Sequence, residues 1–455
     1  MPSVTSKKIS YMTAVQFKES FYEPSPEVGY IFIGNHLPYA NEASPDSIVD
    51  TISSEKAVWN NMYAAKRLTA NDIELVIPKI TWAANSDYQQ YDDQRDITTL
   101  LTANTTAGID PMYVITTDRN VYKCLSNNNS SLSTVEPTGD YTTSNGNIAT
   151  SDGYLWKYMY NVKPGNRFLT SDWIPAPIST NQLDYNTNST GVVEGELTTI
   201  VVTNAGTGYY DSSLAVSAFN TGCTILQLAN TTNVAANMIV SGTGIFPDTY
   251  ISSVDVLNSQ ITLSSAATAN GGGTGNNITI TTKVAIDGDG TGAVASATLS
   301  GGNVEQIVVS TIGLGYSYAN VTIYGSGSSA TARAVLDPKY GHGYNPAIEL
   351  GASNIMTAIR IGDIDSTENG IISSNTSFRQ YGLLINPHKY GNSSPVTYST
   401  ANSVISQTYD ITLVSGSSYE LDEYVYQGSA NNASAYGYVH SQVSNRVSLT
   451  KVKGT

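Results

Sequence analysis

The chain has 455 residues, of which 40% are hydrophobic and only 13% charged, and its formal net charge is −15. This length suggests two to four domains of roughly 100 to 200 residues each. The acidic balance and the lack of any Lys/Arg run argue against nucleic acid as the main partner, because phosphate binding needs a basic stripe. No segment approaches the roughly 18 apolar residues of a membrane span, and the N-terminus lacks the apolar centre of a signal peptide.

The composition favours strands over helices. Most of the polarity comes from Ser, Thr, Asn and Gly, and Tyr (31) far outnumbers Phe (7). Such usage is typical of short strands joined by tight turns, so we predict a β-dominated α+β fold made of several modules. We expect Cys124 and Cys223 to be reduced, because a disulfide scaffold needs more cysteines in a shorter chain.

The first segments predict an α+β region. A helix is predicted over 13–22, with Ala14, Phe17 and Phe21 on one face, and a second over 53–69, with Val58, Met62, Ala65 and Lys66 on one face. Strands are predicted in GYIFIG, DIELVIP, PMYVI, NVYKCL and GYLWKYMYNV, with Asp118-Arg119-Asn120 as a tight turn. We assign 1–192 and 338–399 to the two parts of one core, with an α+β/β-sandwich architecture.

An internal repeat begins near residue 193. The segments LTTIVVTNAGTGYYDSSLAVS (197–217) and VEQIVVSTIGLGYSYANVTIY (304–324) match as strand, Gly-x-Gly-Tyr turn, polar spacer and strand. A phosphate-binding glycine loop would need a helix directly after it, whereas here another strand pattern follows. We therefore interpret both motifs as structural turns, each covered by its tyrosine, Tyr209 or Tyr316.

The repeat is interrupted by further β segments. Residues 193–221 and 283–337 are predicted to form one inserted β-module, and 222–282 a small all-β module nested inside it. Such an insertion costs little if its two ends stay close together. Residues 400–455 alternate apolar and polar side chains and are predicted to form a terminal β-module.

The sequence offers little for catalysis. His36, His342, His388 and His440 are scattered, and His342 in YGHGYNP is interpreted as a turn histidine that could be exposed. The loop from Asp287 resembles the start of a calcium loop but has Thr298 where a bidentate Glu is needed, so a turn is favoured. The acid pairs Asp92-Asp93 and Asp422-Glu423 are interpreted as solvated charges. We predict no enzyme activity, no catalytic residue, no cofactor and no metal site.

Tyrosine-rich patches are the candidates for binding. Tyr209, Tyr210, Tyr316 and Tyr318 are predicted as interface residues, because Tyr anchors contacts at small entropic cost. Stacking of such rings on sugars is the alternative.

An ordered series of segments carries a resemblance. YIFIGNHLPYAN, KAVWNNMYAAKRL, DIELVIPKITW, SDYQQYDD, VYKCL, EPTGDY, DGYLWKYMYNV, WIPAPI and SFRQYGLLINPHKY together resemble the baseplate wedge protein, gene product eight, of T-even-like contractile-tailed phages. The resemblance covers about residues 10–190 and 345–395. The family chain lacks the Gly-x-Gly-Tyr insertion and ends near the equivalent of LLINPHKY, so the family's properties do not extend to the inserted and terminal modules.

The resemblance implies a structural subunit without catalytic activity, located in the virion tail baseplate and assembled in the host bacterial cytoplasm. Its implied partners are a second copy of itself, in a homodimer, and other wedge subunits, with tail-fibre or peripheral baseplate proteins as further candidates; neither nucleic acid nor membrane is expected. The alternative function is a virion adhesin or fibre-associated protein that binds host-surface glycans through its Tyr-rich modules.

Overall fold

The structure is a computed structural model that describes residues 6–23, 27–35, 38–45, 47, 49–178, 192–359, 377–387, 404–406, 409–414 and 416–454. It is a β-dominated α+β fold with many small sheets and a barrel. The chain divides into two compact units, Met1–Lys8 with Ile77–Ala352, and Ile9–Val76 with Ser353–Thr455.

The described elements run in the following order. The helices are α1 (Lys7–Glu19), α2 (Ile52–Asn61), α3 (Ile97–Leu100) and α4 (Pro346–Glu349), with 3₁₀ turns at Ala70–Asp72 and Ser144–Gly146. The strands before the insertion are β1 (Gly29–Gly34), β2 (Met62–Arg67), β3 (Ile73–Pro78), β4 (Asp87–Tyr88), β5 (Ile109–Asp110), β6 (Tyr113–Ile115), β7 (Asn120–Ser126), β8 (Asn147–Ala149), β9 (Leu155–Asn161) and β10 (Trp173–Pro175). Those of the insertion are β11 (Thr199–Asn204), β12 (Ser212–Ala215), β13 (Ile225–Gln227), β14 (Ile239–Ser241), β15 (Ile251–Asp255), β16 (Gln260–Leu263), β17 (Asn277–Thr281), β18 (Lys283–Gly288), β19 (Val294–Ser300), β20 (Asn303–Thr311), β21 (Ala319–Tyr324) and β22 (Thr331–Val335). The remainder are β23 (Asn354–Thr357), β24 (Gln380–Ile385), β25 (Val404–Ser406), β26 (Tyr409–Thr412), β27 (Tyr424–Ser429), β28 (Asn432–Val443) and β29 (Arg446–Gly454).

The unit of residues 9–76 and 353–455 contains a four-stranded antiparallel sheet in the order β24-β1-β2-β25. The second predicted helix is wrong in its C-terminal half, because α2 ends at Asn61 and residues 62–67 form β2. Pairing on both sides overrides helix propensity here: Ala65 lies opposite Phe32 of β1 and Ile405 of β25, and is fully buried. Lys66 and Arg67 therefore belong to a strand and do not cap a helix.

The C-terminal segment of the same unit forms a four-stranded sheet in the order β26-β29-β28-β27. One of its faces carries a small apolar core centred on Val439, Val447 and Leu449.

Across the described residues of the chain, no helix combines the length and the apolar character needed to cross a membrane.

The first part of the other unit is built around the antiparallel sheet β6-β7-β9-β8. The two faces of this sheet differ. One packs Val114, Tyr122, Cys124, Ile148 and Trp156 into an aromatic core, whereas the other carries the polar residues described below. The turn predicted at Asp118-Arg119-Asn120 lies between β6 and β7, and Arg119 has a positive φ of 64° there.

The repeat forms a closed barrel in the order β11-β20-β19-β18-β21-β22. Its register shows an internal two-fold relation: Ile200 of the first copy lies directly opposite Ile307, the same position of the second copy. Ile200, Ile307, Leu197 and Val304 fill the barrel core. Two copies of one β unit thus close on each other, and neither buries its apolar face alone.

The nested residues form two three-stranded sheets, β12-β17-β14 and β13-β16-β15, which enclose a core with Leu226, Met238, Ile261 and Ile280. The structure pairs Ser212–Ala215 with β17, so strand β12 belongs to this small sandwich and not to the barrel. The repeat alignment cannot show this difference, because β12 occupies the position of barrel strand β21 in the second copy.

Candidate functional site

The tyrosines of the two Gly-x-Gly-Tyr turns lie inside the barrel. Tyr209 is 3% and Tyr316 7% exposed. Tyr209 of the first copy packs on Gly327 of the second, where a Cβ would lie 2.3 Å from its ring, and Tyr316 packs reciprocally on Gly290, at 2.4 Å. These two rings are therefore covered by the chain's own glycines, which removes them from the predicted interface residues.

Their neighbours remain accessible. Tyr210 is 47% and Tyr318 55% exposed. The backbone of each is held by a polar side chain: Tyr210 N donates to Ser326 Oγ at 2.9 Å, and Tyr318 N donates to Asp289 Oδ1 at 3.1 Å. Each ring thus extends from a fixed turn. A strand follows each turn, β12 after Tyr210 and β21 after Tyr318, and not a helix whose N-terminus could bind a ligand.

The loop that resembles a calcium site is a capped turn. Asp289 accepts hydrogen bonds from Ser317 N at 2.8 Å, from Ser317 Oγ at 2.5 Å and from Tyr318 N. These donors lower the pKa of Asp289 to about 2. The carboxylate is thus used to hold the turn after Tyr316.

The two acid pairs have separate structural roles. Arg333 of β22 donates to both Asp92 and Asp93, with Nη1 at 3.0 Å from Asp93 Oδ1. Burial alone would raise the pKa of Asp92, but the hydrogen bond from Arg333 lowers it. In the second pair, Glu423 accepts from Glu420 N within a turn at which Asp422 has a positive φ of 63°.

A cleft of about 860 Å³ borders the first acid pair and is lined by Gln89, Asp92, Arg95, Thr99 and Thr102, among others. The side chains of Gln89 and Arg95 are already paired within it. Gln89 Nε2 donates to the carbonyls of Thr99 and Thr102, both at 2.8 Å, and Gln89 Oε1 accepts from Arg95 at 2.9 Å. The cleft therefore offers few convergent groups to a small ligand.

The most unusual chemistry lies on the polar face of the sheet β6-β7-β9-β8. Pairing across this sheet places Tyr113, Lys123, Lys157 and Asn147 side by side in one row, one residue per strand. Both lysines are 1% exposed. Two adjacent buried ammonium groups require anionic partners, because desolvation otherwise makes the charged form too costly.

The partners come from the two segments that connect the core to the barrel. Glu196 lies just before β11, and Asp337, His342 and Glu349 follow β22. We call these four residues together with Lys123, Lys157 and Asn147 the junction cluster. Asp337 Oδ2 accepts from the backbone N–H groups of Gly195 at 2.9 Å and Glu196 at 3.2 Å, so the outgoing segment binds the incoming one.

Lys123 sits between a histidine and a glutamate. Its Nζ lies 2.9 Å from His342 Nδ1 and 3.0 Å from Glu349 Oε2, and 3.9 Å from the centre of the Tyr91 ring. The ammonium has only protons to give, so Nδ1 accepts and the imidazole carries its own proton on Nε2. His342 lies in a turn, as predicted, but it is 1% exposed, so the suggestion that it could be exposed is wrong.

Burial sets the protonation of this group. Desolvation, reinforced by the Lys123 charge, lowers the pKa of His342 to about 3, so the ring is neutral near pH 7. Burial would raise the pKa of Glu349, but the Lys123 ammonium, through its charge and its hydrogen bond, lowers it to about 2. Burial also lowers the pKa of Lys123, against the attraction of Glu349.

Lys157 belongs to a second group beside the first. Its Nζ donates to Glu196 Oε2 at 3.2 Å and to the Asn145 carbonyl at 2.9 Å. Asn147 Nδ2 donates to both oxygens of Glu196, at 3.1 and 3.2 Å. Burial lowers the pKa of Lys157, opposed by Glu196. Burial also raises the pKa of Asp337 to about 6, although two backbone donors oppose this.

Sequence reasoning missed the junction cluster. Its signal was a lysine inside each of two apolar strand segments, NVYKCL and GYLWKYMYNV, where a fully buried strand leaves no place for an unpaired charge. The sequence pattern predicts both strands but assigns no role to their lysines.

The remaining histidines and the two cysteines are less informative. His36 and His388 lie outside the described residues, as does the side chain of His440. Cys124 is buried and Cys223 half-buried, and neither forms a disulfide. In the described part of the chain, His, Cys, Asp and Glu side chains form no group of three or more that could hold a metal ion.

Two exposed surfaces lie in the unit of residues 9–76 and 353–455. Within the described residues, β24 pairs on one side only, with β1. Its outward side chains are Tyr381, Leu383 and Ile385, which are 81%, 39% and 45% exposed. On the C-terminal sheet, Tyr424 and Tyr426 lie opposite Tyr438 and Tyr436, with ring centres 5.5 to 5.7 Å apart around Tyr424. We call these four residues the tyrosine ladder.

No protein-family model matches the chain, and no curated protein matches it.

Proposed function

We propose that this chain is a structural subunit of a phage tail baseplate wedge, which acts through a homodimer contact and contacts with other subunits. The observation that carries the proposal is the edge strand β24. Its outward side chains are apolar and exposed, although an exposed apolar edge strand invites pairing with another chain and is usually protected.

A second copy of this chain fits such an edge. An antiparallel edge strand can pair with its own equivalent across a two-fold axis, which gives a closed dimer with one contact surface used twice. Tyr381, Leu383 and Ile385 would then form the apolar centre of that contact.

The internal chemistry supports a structural role. The buried ionisable groups of the junction cluster face one another and fix the barrel to the core, and the acid pair Asp92-Asp93 is occupied by Arg333. Catalytic groups usually point into a cleft and have perturbed pKa values. In the cleft beside Asp92, the side chains of Gln89, Arg95 and Asp92 are already paired with protein groups.

The test is the molar mass of the purified full chain by light scattering. We expect twice 48.4 kDa for the natural chain. Leu383→Glu places a charge at the centre of the contact and should give 48.4 kDa. Leu257→Glu is the matched control, since Leu257 is 97% exposed in a turn of the nested module, and this variant should stay dimeric. A monomeric natural chain, or a dimer indifferent to Leu383→Glu, would count against the proposal.

The tyrosine ladder favours a second function, glycan binding by a virion adhesin. Rings with exposed faces on a rigid sheet can stack on sugars, and Tyr424 and Tyr426 are 38% and 47% exposed. Binding of the full chain to a glycan array that is lost in Tyr424→Ala/Tyr426→Ala would support the adhesin. Equal array signals from natural chain and variant would exclude it.

A further inference from the structure

The group formed by Lys157, Asn147 and Glu196 resembles a reaction centre more than an ordinary ion pair. An amine, a primary amide and a carboxylate meet in a space where Lys157 is 1%, Glu196 3% and Asn147 6% exposed. Lys157 and Asn147 are directly paired residues on the neighbouring strands β9 and β8. The register therefore places the two residues side by side, and both side chains reach the same carboxylate.

One carboxylate oxygen touches both nitrogen atoms. Glu196 Oε2 lies 3.2 Å from Lys157 Nζ and 3.2 Å from Asn147 Nδ2. A carboxylate so placed can take a proton from one nitrogen and deliver it to the other, which is the task of a general acid–base catalyst. Its backbone is held in turn by Asp337, which accepts from Glu196 N at 3.2 Å.

The amide is poorly satisfied as a structural group. Asn147 Oδ1 is buried and accepts no hydrogen bond from any described residue. A buried amide oxygen without a donor costs free energy of about 1–3 kcal/mol. A leucine or a methionine would avoid that cost but would remove the two hydrogen bonds that Asn147 Nδ2 donates to Glu196. A reaction that consumes the amide accounts for the unpaired oxygen as well as for these contacts.

We propose that Lys157 and Asn147 join autocatalytically in an intramolecular amide cross-link, with Glu196 as the proton-transfer residue. Glu196 Oε2 takes a proton from the Lys157 ammonium, and the neutral Nζ attacks Asn147 Cγ as the C–O π pair moves to Oδ1. Glu196 gives its proton to Nδ2, the Cγ–Nδ2 bond breaks as the carbonyl reforms, and ammonia leaves. The new amide nitrogen returns one proton to Glu196.

The reaction balances without any further reagent, and burial favours its products. The reactants are an ammonium, a primary amide and a carboxylate, and the products are a secondary amide, free ammonia and a neutral carboxyl group. No oxidant or other reagent is needed. A buried ion pair is replaced by neutral groups, which removes the desolvation cost of two charges. Burial lowers the pKa of Lys157 and so assists formation of the nucleophilic amine.

Lys123 provides an internal comparison. It is equally buried and lies beside Lys157 in the row, but its Nζ contacts are His342, Glu349 and the Tyr91 ring, with no side-chain amide among them. The same chemistry cannot release ammonia there. We therefore expect a cross-link at Lys157 and an unmodified side chain at Lys123.

The test is mass spectrometry of the purified full chain, unfolded and digested with trypsin. We expect cleavage after Lys123 but not after Lys157, and a peptide spanning Asn147 and Lys157 lighter by one ammonia, with no fragment ions from bonds between the two. Asn147→Ala keeps the ion pair with Glu196 and should restore both the full mass and the cleavage. Glu196→Gln should do the same by removing the proton acceptor.

Complete cleavage after Lys157 in the natural chain, with no loss of ammonia, would overturn the proposal without reference to any variant. Loss of ammonia from the Asn145-Gly146 pair, by ring closure to a succinimide, would leave cleavage after Lys157 intact and would likewise contradict it. A cross-link that persists in Glu196→Gln would refute the role of that carboxylate.

Discussion

Replacing Glu349 by Gln should destabilise the core to a measurable and calculable extent. The substitution keeps the shape of the side chain but leaves the Lys123 ammonium buried without its anionic partner. Breaking one partner of a buried ion pair typically costs about 3–5 kcal/mol of unfolding free energy. The lowering of the Glu349 pKa from 4.5 to about 2 corresponds to about 3 kcal/mol at roughly 1.4 kcal/mol per unit. The two figures are of the same order, so we expect a loss of about 3 kcal/mol.

The assay is urea unfolding followed by tryptophan fluorescence at pH 7. Trp156 reports on the region directly, because it is fully buried on the other face of the same sheet and lies opposite Cys124, the neighbour of Lys123. Glu305→Gln is the matched control, since Glu305 is exposed on β20 and should leave the transition unchanged. The double variant Lys123→Met/Glu349→Leu should recover most of the loss, because it removes both charges.

Acidification gives a second measurement on the same residue. The folded pKa of Glu349 is depressed, so its contribution is present above about pH 4.5 and is lost as the pH falls towards 2. The natural chain should lose that stability over this window, whereas Glu349→Gln should lack that part of the loss. Identical urea transitions for Glu349→Gln, Glu305→Gln and the natural chain would refute the role of the buried pair.

Two further outcomes follow from the barrel and the junction. Gly327→Ala would place a Cβ 2.3 Å from the Tyr209 ring and 2.4 Å from the Thr207 carbonyl, so we expect a loss of about 1–3 kcal/mol of unfolding free energy, measured by thermal unfolding. Gly416→Ala is the control, because Gly416 has open space around it and its substitution should be neutral. Equal melting temperatures for the two variants would contradict the packing of Tyr209 on Gly327. Burial raises the pKa of Asp337 to about 6. The protonated carboxyl therefore stabilises the fold below about pH 4, and this stabilisation is lost as the pH rises through 6. After allowance for solvent screening, it amounts to about 1 kcal/mol of unfolding free energy. Asp337→Asn should flatten that pH dependence in urea unfolding, and an unchanged profile would contradict it.

The repeat could be predicted from the sequence because its information is local. Each copy contains its own strand, Gly-x-Gly-Tyr turn and spacer, and the glycines against which each tyrosine packs occupy equivalent places in the other copy. The sequence could not show which sheet β12 joins. A strand this short carries the same alternating pattern whether it pairs in the barrel or in the nested sandwich. Nor could it place the end of α2, because pairing of Met62–Arg67 on two sides decides against a helix that local propensity favours.

The junction cluster was beyond reach for a different reason. Lys123 and Glu349 are 226 positions apart, and they meet only because the chain leaves the core before the barrel and returns over the same sheet face. Sequence patterns register that a lysine sits in an apolar strand but not which distant carboxylate neutralises it. The predicted interface tyrosines show the converse: Tyr209 and Tyr316 match the composition of contact residues, yet the barrel uses them internally.

The central proposal, that the chain works by contact within a phage tail, is tested most directly by looking for the chain in purified particles of a contractile-tailed phage propagated in cells that express it. Antibodies raised against the full chain and detected by electron microscopy should label the baseplate at the distal end of the tail. Label confined to fibre tips would favour the adhesin. Particles without label, with the chain left in the soluble lysate, would contradict the account.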